Sequence, residues 1–187
     1  MLMNYKTLLG SIFLAAATPG SAAHADTAKF EEFGADASGR WEYIADGVMG
    51  GVSVGSAEIL NEGDINFIRL TGAVSTKNNG GFIQIRQTLP GALPAGTAGV
   101  ALDMRGNGES YYVFLRTKEM TRPWHFYNAV FETGADWSTV HIPFADFDRS
   151  HDFLADTIDP QSVISIGLVA YGRDHVADLS VASLALY

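Results

Sequence analysis

The stretch Asn78–Gln87, with the sequence NNGGFIQIRQ, joins a turn signal to a strand pattern. Two asparagines and two glycines favour turn conformations, and bulky and polar residues then alternate from Phe82 to Gln87. Alternation with a period of two is typical of a β-strand that has one face in the core. Strand-length segments recur along most of the chain, whereas convincing helical periodicity does not.

The pattern predicts eight strands, separated by breaks rich in glycine, proline, asparagine and aspartate. The predicted strands are Ile65–Val74, Phe82–Gln87, Val100–Met104, Tyr111–Thr117, Trp124–Glu132, Trp137–Ile142, Val163–Tyr171 and Leu179–Leu186. Only Phe144–Arg149 and Asp159–Val163 are predicted as short helical turns. Strands this frequent indicate an all-β sandwich or barrel rather than an alternating βαβ fold.

Length and composition exclude several classes of function. The chain has 187 residues, of which 47% are hydrophobic, no cysteine and a formal net charge of −9. This length favours one domain with a core that needs no disulfide or metal. The acidic balance disfavours a general nucleic-acid binder, because neutralising phosphates requires a basic surface. The lack of cysteine excludes thiol catalysis, Cys-ligated zinc, iron–sulfur clusters and a lipoprotein anchor.

Residues 1–25 carry the three parts of a secretory signal. Lys6 supplies the positive start, Leu8–Ala17 is a continuous apolar run, and Ala23–Ala25 offers the small residues of a cleavage site. The alternative is a membrane anchor, which is disfavoured because a spanning helix needs about 20 apolar residues. We expect cleavage after Ala25, a single mature domain over residues 26–187, a periplasmic location and no membrane insertion of the mature chain.

Asp46–Ser53, with the sequence DGVMGGVS, is the most unusual segment of the chain. Three glycines around Met49, a residue type usually found in cores, predict positive φ angles or close backbone approach. The Asp46 carboxylate is predicted to accept hydrogen bonds from turn amides. The segment around Ser53 also satisfies the G-x-S-x-G pattern of a nucleophile elbow, but no predicted helix follows it, so a structural loop is favoured.

The segment DGVMGGVS, followed by NNGGF at residues 78–82, resembles the complex I intermediate-associated protein family. Further matching text is Trp41, Gly106-Asn107-Gly108 before Tyr111 and Tyr112, Arg116, Tyr127, Phe131, Trp137 and Ile142–Phe144. The resemblance runs from about Phe30 to the C-terminus. It implies a jelly-roll β-sandwich like those of galactose-binding and carbohydrate-binding domains, in agreement with the predicted strands.

The resemblance also implies a loop platform built from the two glycine-containing segments. Its residues are Asp46, Gly47, Met49, Gly50, Gly51, Ser53, Asn79, Gly80, Gly81 and Phe82. In mitochondria the family is known as an assembly factor for NADH:ubiquinone oxidoreductase that works from the matrix side, which corresponds to the bacterial cytoplasm. An exported chain sits on the opposite face of the membrane. We therefore predict a non-catalytic binding or assembly module with a protein partner in the cell envelope.

Aromatic and arginine side chains are the candidates for recognition, because sugars stack on aromatic rings and protein interfaces favour Tyr, Trp and Arg. The candidates are Arg86, Tyr111, Tyr112, Arg116, Trp124 and Tyr127. Strand alternation puts Trp124 and Phe126 on one face and His125 and Tyr127 on the other, and the sequence leaves open which face is outside. Carbohydrate binding is therefore an alternative to a protein partner.

The titratable residues give little sign of a catalytic or metal site. No pair of histidines has zinc-ligand spacing. His151 and His175 each lie next to an aspartate, which leaves a hydrolase with a His–Asp site as a further alternative. The acidic stretch Asp146–Asp159 lacks the calcium-loop pattern. Sandwiches of the galactose-binding kind often hold one structural calcium ion, so the resemblance leaves room for calcium, and no other cofactor is expected.

Overall fold

The computed structural model describes residues 28–187, so the predicted secretory signal and its cleavage site lie outside the described residues. Within that range the chain forms twelve strands joined by loops and single 3-10 turns. The strands are β1 (Ala28–Glu31), β2 (Trp41–Ala45), β3 (Val54–Glu62), β4 (Ile65–Val74), β5 (Phe82–Thr88), β6 (Gly99–Gly106), β7 (Ser110–Thr117), β8 (Tyr127–Glu132), β9 (Ser138–Pro143), β10 (Asp148–Arg149), β11 (Val163–Tyr171) and β12 (His175–Leu186). None of the helices in the described range is long and apolar enough to span a bilayer.

The strands form two antiparallel sheets. In the first sheet the order is β3-β4-β12-β6-β9, and β1 pairs with the end of β12. In the second sheet the order is β10-β8-β7-β11-β5-β2. Strands that are neighbours in space are mostly distant in sequence, as in β12 with β4 and β11 with β5. The all-β sandwich expected from the strand pattern is confirmed.

One apolar core lies between the sheets. Alternate residues of β7 point into it, so that Tyr111, Val113 and Leu115 are fully buried while their neighbours are partly exposed. The largest fully buried side chains also come from β4, β5, β6, β11 and β12. This alternation fixes which residues of the second sheet face outward, because a strand presents successive side chains to opposite faces.

The structure corrects several predicted boundaries. The strand predicted for Trp124–Glu132 begins only at Tyr127, because residues 122–126 form a turn tied down by Arg116. Strands β1, β2, β3 and β10 were not predicted. β1 and β2 pair with strands far away in sequence, β3 forms a hairpin with β4 but has no buried face, and β10 has only two residues. The predicted turns at Phe144–Arg149 and Asp159–Val163 are shorter 3-10 turns, at Phe144–Asp146 and Pro160–Ser162.

Candidate functional site

Asp46 is the hub of the loop platform. It starts the 3-10 turn Asp46–Met49 and is fully buried. Oδ1 accepts the backbone N–H of Ser53 at 2.9 Å, and Oδ2 accepts the Ser53 hydroxyl at 2.5 Å. Oδ2 also accepts the backbone N–H groups of Gly81 at 2.6 Å and Phe82 at 3.2 Å. The prediction that Asp46 bonds turn amides is confirmed, and this one carboxylate joins both segments of the platform.

The hydrogen bonds decide the charge state of this carboxylate. Burial acts to raise the pKa of Asp46, but the bonds from Ser53, Gly81 and Phe82 outweigh it, so the pKa lies below its ordinary value. A carboxylate that accepts several N–H bonds is stabilised in its ionised form. Asp46 is therefore an anion solvated by the protein itself at neutral pH.

The glycines of the platform have different roles. A Cβ at Gly51 would lie 2.3 Å from Asp46 Cγ, and one at Gly80 would lie 2.4 Å from Asp46 Oδ2, so both positions need close approach. Gly50 has a φ of 91° and Gly81 a φ of 129°, conformations that favour glycine. Asn79 also adopts positive φ. Gly47 faces open space, and its φ is not in the left-handed region, so nothing in the structure requires glycine there.

The apolar side chains of the platform point into solvent. Val48 is 76% exposed, Met49 53%, Val52 45% and Val54 65%. The expectation that Met49 is a core-type methionine is wrong, because the turn Asp46–Met49 buries Asp46 and leaves Met49 exposed. We call these four residues the apolar rim. Ser53 beside them is buried and engaged with Asp46 and Ser75, and β3 rather than a helix follows it, so it is structural.

Two of the candidate recognition residues belong to the core. Tyr111 is fully buried, and its hydroxyl donates to Asn107 Oδ1 and accepts the N–H of Asp178, both at 2.8 Å. Burial raises the pKa of Tyr111 to about 12. Tyr127 is 4% exposed and donates to the carbonyl of Ala155. Both face inward by strand alternation, so neither contributes to an exposed patch.

Tyr112 lies on the opposite side of β7 and helps to build an aromatic face on the second sheet. We define the aromatic face as the outward-facing rings Phe82, Tyr112, Phe114, Phe126 and Tyr171. Phe114 and Phe126 stack with centroids 4.1 Å apart and planes at 11°. Tyr171 packs edge-on against Phe114 at 5.3 Å and Tyr112 at 5.7 Å.

Sequence reasoning did not single out Phe114, Phe126 or Tyr171 as candidates. Phe114 and Tyr171 come together through the register of β7 with β11, in which Val169 pairs with Tyr112. The alternation of β7 was readable, and it would have grouped Tyr112 with Phe114. Which of the two faces meets solvent depends on the second sheet packing onto the first, which the local pattern does not encode.

The remaining candidates lie around this face. Arg86 is on β5 and pairs with Glu42 at 3.2 Å. Arg116 is on β7 and donates to the backbone carbonyls of Met120, Arg122 and His125, so it shapes the loop before β8. Trp124, in that loop, is 51% exposed and lies under the Arg122 guanidinium at 5.8 Å.

The first sheet carries an open groove of about 440 Å³ on its outer face. Its central carboxylate, Asp103, already accepts the hydroxyls of Thr139 and Ser183. Trp137 forms one wall and is covered by the Arg105 guanidinium, 4.6 Å from the ring centroid. The polar groups of this groove are thus largely satisfied by one another.

The histidines do not form the arrangement that a His–Asp hydrolase requires. His151 Nδ1 lies 2.9 Å from Ser150 Oγ, and His175 Nδ1 lies 2.9 Å from the carbonyl oxygen of Arg173. Within residues 28–187 neither ring bonds a carboxylate, and no three His, Asp or Glu side chains group closely enough to share a metal ion. The structural calcium ion that the resemblance allowed stays a prediction.

Solved structures with the same fold include carbohydrate-binding modules. The family 11 carbohydrate-binding module of the cellulosomal cellulase Lic26A-Cel5E of Clostridium thermocellum matches with a TM-score of 0.70 and 16% identity, covering 88% of this chain and 95% of that one. A family 30 carbohydrate-binding module matches with a TM-score of 0.52 and 15% identity, over 71% and 73%. At these identities the likeness establishes the fold alone.

A sequence-family comparison identifies the chain more closely. No curated protein matches it by sequence. The family model described as Complex I intermediate-associated protein 30 matches residues 30–180, which include both segments of the loop platform and nearly all of the strands. The predicted resemblance is confirmed: this chain belongs to the Complex I intermediate-associated protein 30 family.

Proposed function

We propose that this chain is a non-catalytic binding module that recognises a protein partner through its apolar rim. The observation that carries the proposal is the exposure of Val48, Met49, Val52 and Val54, between 45% and 76%, within seven consecutive residues. Val176, 68% exposed, extends this surface, because Val54 and Val176 both pair with Ala73 of β4. Contiguous exposed apolar surface is typical of protein interaction sites.

The rim is preorganised for binding. Asp46 fixes the turn that carries Val48 and Met49 to the strand start at Phe82, so the loop is ordered before a partner arrives. Binding then avoids part of the entropic cost of ordering a loop. The family description, which names association with complex I intermediates, supports a protein as the partner.

The compartment is part of the proposal. The predicted secretory signal at residues 1–25 supports a partner in the cell envelope, on the periplasmic side. Cell fractionation with N-terminal sequencing of the recovered protein tests this point. We expect a soluble periplasmic protein that begins at Asp26, and recovery from the cytoplasm with residues 1–25 intact would contradict it.

Site-specific photo-crosslinking in cells tests the rim directly. A photoreactive residue at position 48 is expected to capture a defined protein band, which is then identified. The same residue at Phe153, a 66% exposed apolar position elsewhere, is the matched control. The band should vanish when Met49→Asp is added and persist when Phe153→Asp is added. Equal capture from both positions, or no capture from position 48, would contradict the proposal.

Carbohydrate binding is a second candidate function, and the aromatic face favours it. Phe114, Phe126 and Tyr171 form a cluster of rings on an outer sheet surface, flanked by Arg86 and Arg116. Sugar rings pack on such apolar surfaces while polar neighbours bond the hydroxyls. The structural relatives support this candidate, since one of them was solved in complex with a β-1,3-1,4-mixed-linked tetrasaccharide.

Affinity electrophoresis in gels that contain mixed-linkage β-glucan or another polysaccharide tests the second candidate. We expect retarded migration that is lost in Tyr171→Ala. The rim variant Met49→Asp is the control, and polysaccharide should retard it as much as the unmodified protein, each relative to a gel without polysaccharide. If no polysaccharide of any charge retards the protein, carbohydrate binding is wrong and the protein-partner function stands alone.

A further inference from the structure

Two arginines lie on either side of β11 on the aromatic face. In the register of the second sheet, Gly167 pairs with Arg86 of β5 on one side and with Phe114 of β7 on the other. Ser165, the next outward position, pairs with Arg116. Arg86 and Arg116 thus lie on either side of one strand whose outward residues at this point have small side chains or none.

Arg116 is a half-buried cation without an acidic partner. Within residues 28–187 no carboxylate oxygen lies within 4.0 Å of its guanidinium, and its hydrogen bonds go to backbone carbonyls. Burial first, and the nearby charge of Arg86 second, lower the pKa of Arg116. An arginine does not lose its proton in a protein, so the charge stays and favours an anion nearby.

Arg86 is only weakly neutralised. Its one acidic partner is Glu42, at 3.2 Å, and the Glu42 side chain is 68% exposed. An ion pair of this kind contributes little, because water competes for both groups. A ligand anion that accepts two parallel N–H bonds from a guanidinium is held more strongly than a single exposed contact.

Gly167 is buried between the strands that carry the two cations. A Cβ at this position would lie 3.1 Å from Gln84 Oε1 and 3.6 Å from a methyl group of Val169, so these two side chains already fill the space beside it. The backbone of Gly167 is not in the left-handed region, so the conformation itself does not require glycine. The missing side chain makes room for the Gln84 amide, which lies on this face of β11 beside the strands of Arg86 and Phe114.

We propose that the aromatic face binds oligosaccharides that contain uronic acids, with a sugar carboxylate held by Arg86 and Arg116 above Gly167 and the sugar rings on Phe114 and Tyr171. This inference rests on the second proposed function, carbohydrate binding at the aromatic face. It names the charge of the ligand, which the fold and the family leave open. The planar carboxylate matches the fork of the Arg86 donors, whereas a neutral sugar leaves the positive charge of Arg116 uncompensated.

Calorimetric titration with a uronic-acid hexasaccharide and with its carboxyl-reduced form isolates the carboxylate. The two ligands share length and linkage and differ only in whether each ring carries a carboxylate or a hydroxymethyl group. We expect the acidic form to bind at least tenfold more tightly, and this ratio to shrink in 0.5 M salt as the charges are screened. Arg86→Gln should reduce the ratio severalfold, with little effect on the reduced ligand.

Two further variants separate the carboxylate contact from the stacking contact. Tyr171→Ala should weaken both ligands by a similar factor, and Gly167→Ala should weaken the acidic ligand most, because the methyl group would press on Gln84 Oε1 and disturb the surface between the two arginines. Arg116 is left intact, since its variants would also release the loop before β8. A thermal melt of each variant confirms that it is folded.

Each result of these titrations either supports the carboxylate inference or overturns it. If both hexasaccharides bind equally and Tyr171→Ala abolishes both, the carboxylate inference is overturned while carbohydrate binding stands. Binding of neutral mixed-linkage glucan without binding of the uronic-acid ligand also overturns the carboxylate inference and leaves carbohydrate binding in place. If no oligosaccharide of either charge binds, carbohydrate binding and the inference fall together. A ratio above ten that Arg86→Gln reduces supports the proposal.

Discussion

The loop platform and the aromatic face present binding surfaces in opposite ways. The platform uses two short segments, residues 46–53 and 78–82, and it buries a polar group while exposing apolar ones. The aromatic face uses side chains from separate strands, and the ladders of β5, β7 and β11 hold them. The platform has no paired strands and depends on the carboxylate of Asp46, whereas the sheet spreads its stability over many backbone hydrogen bonds.

The difference predicts where single changes do damage. Loss of the hub leaves several buried donors of the platform without acceptors, and such unpaired groups are costly. Loss of one outward ring removes ligand contacts but leaves the strand ladder intact. Function and stability are therefore tightly linked at the platform and separable at the aromatic face.

The largest expected effect is that of Asp46→Ala. It leaves the N–H groups of Ser53, Gly81 and Phe82 unpaired, and we expect the free energy of unfolding to fall by about 3–5 kcal/mol. Urea denaturation followed by fluorescence measures this loss. Asp174→Ala is the matched control, since this exposed carboxylate also bonds a backbone N–H and a hydroxyl, both of Thr76. Similar losses for both variants would mean that Asp46 is not a hub.

The next largest effect is steric, and it differs between two glycines of the segment Asp46–Ser53. Gly51→Ala places a methyl group 2.3 Å from Asp46 Cγ, so we expect a loss of about 2–3 kcal/mol. Gly47→Ala meets nothing within 4 Å and should change stability by less than about 0.5 kcal/mol. The same denaturation curves measure both, and equal losses would show that the close packing around Asp46 is not needed.

Acid should weaken the platform through Asp46. Because the pKa of Asp46 is lower in the folded state than in the unfolded state, its ionisation stabilises the protein fully above the unfolded pKa of about 3.9. That contribution is lost as the pH falls through the lower folded pKa. Hydrogen bonds and ion pairing also lower the pKa of Asp178, and Asp46→Asn leaves that effect in place.

Urea denaturation of the unmodified protein and Asp46→Asn between pH 7 and pH 2.5 tests this effect. The difference between their unfolding free energies should be constant near neutral pH and should shrink below about pH 4. Parallel curves over the whole range would show that Asp46 does not carry the expected charge.

The smallest expected effect is the loss of one tyrosine hydroxyl, which we compare at a buried and at an exposed ring. Tyr111→Phe removes a hydroxyl that bonds Asn107 and Asp178 in the core, so we expect a loss of about 1–2 kcal/mol. Tyr171→Phe changes an exposed hydroxyl, and we expect less than about 0.5 kcal/mol. If Tyr171→Phe destabilises the protein as much as Tyr111→Phe, the aromatic face is part of the structural frame.

Local patterns were sufficient for much of this protein. Strands β4 and β11 have the predicted bounds, because each is an apolar-rich segment of strand length that ends at a break in its own sequence. Asp46 was identified as an amide acceptor for a similar reason, since a carboxylate among glycines has few partners other than turn N–H groups. The order of two short motifs was enough to indicate the family.

The tertiary structure alone decided which side chains meet solvent. Met49 and Tyr111 were assigned by residue type, and the structure exposes the former and buries the latter. β2 became a strand only by pairing with the distant β5, and the rings of the aromatic face met through the register of separate strands. The physical reason is that periodicity defines two faces of a strand, but only the packing of one sheet on the other determines which face is removed from water.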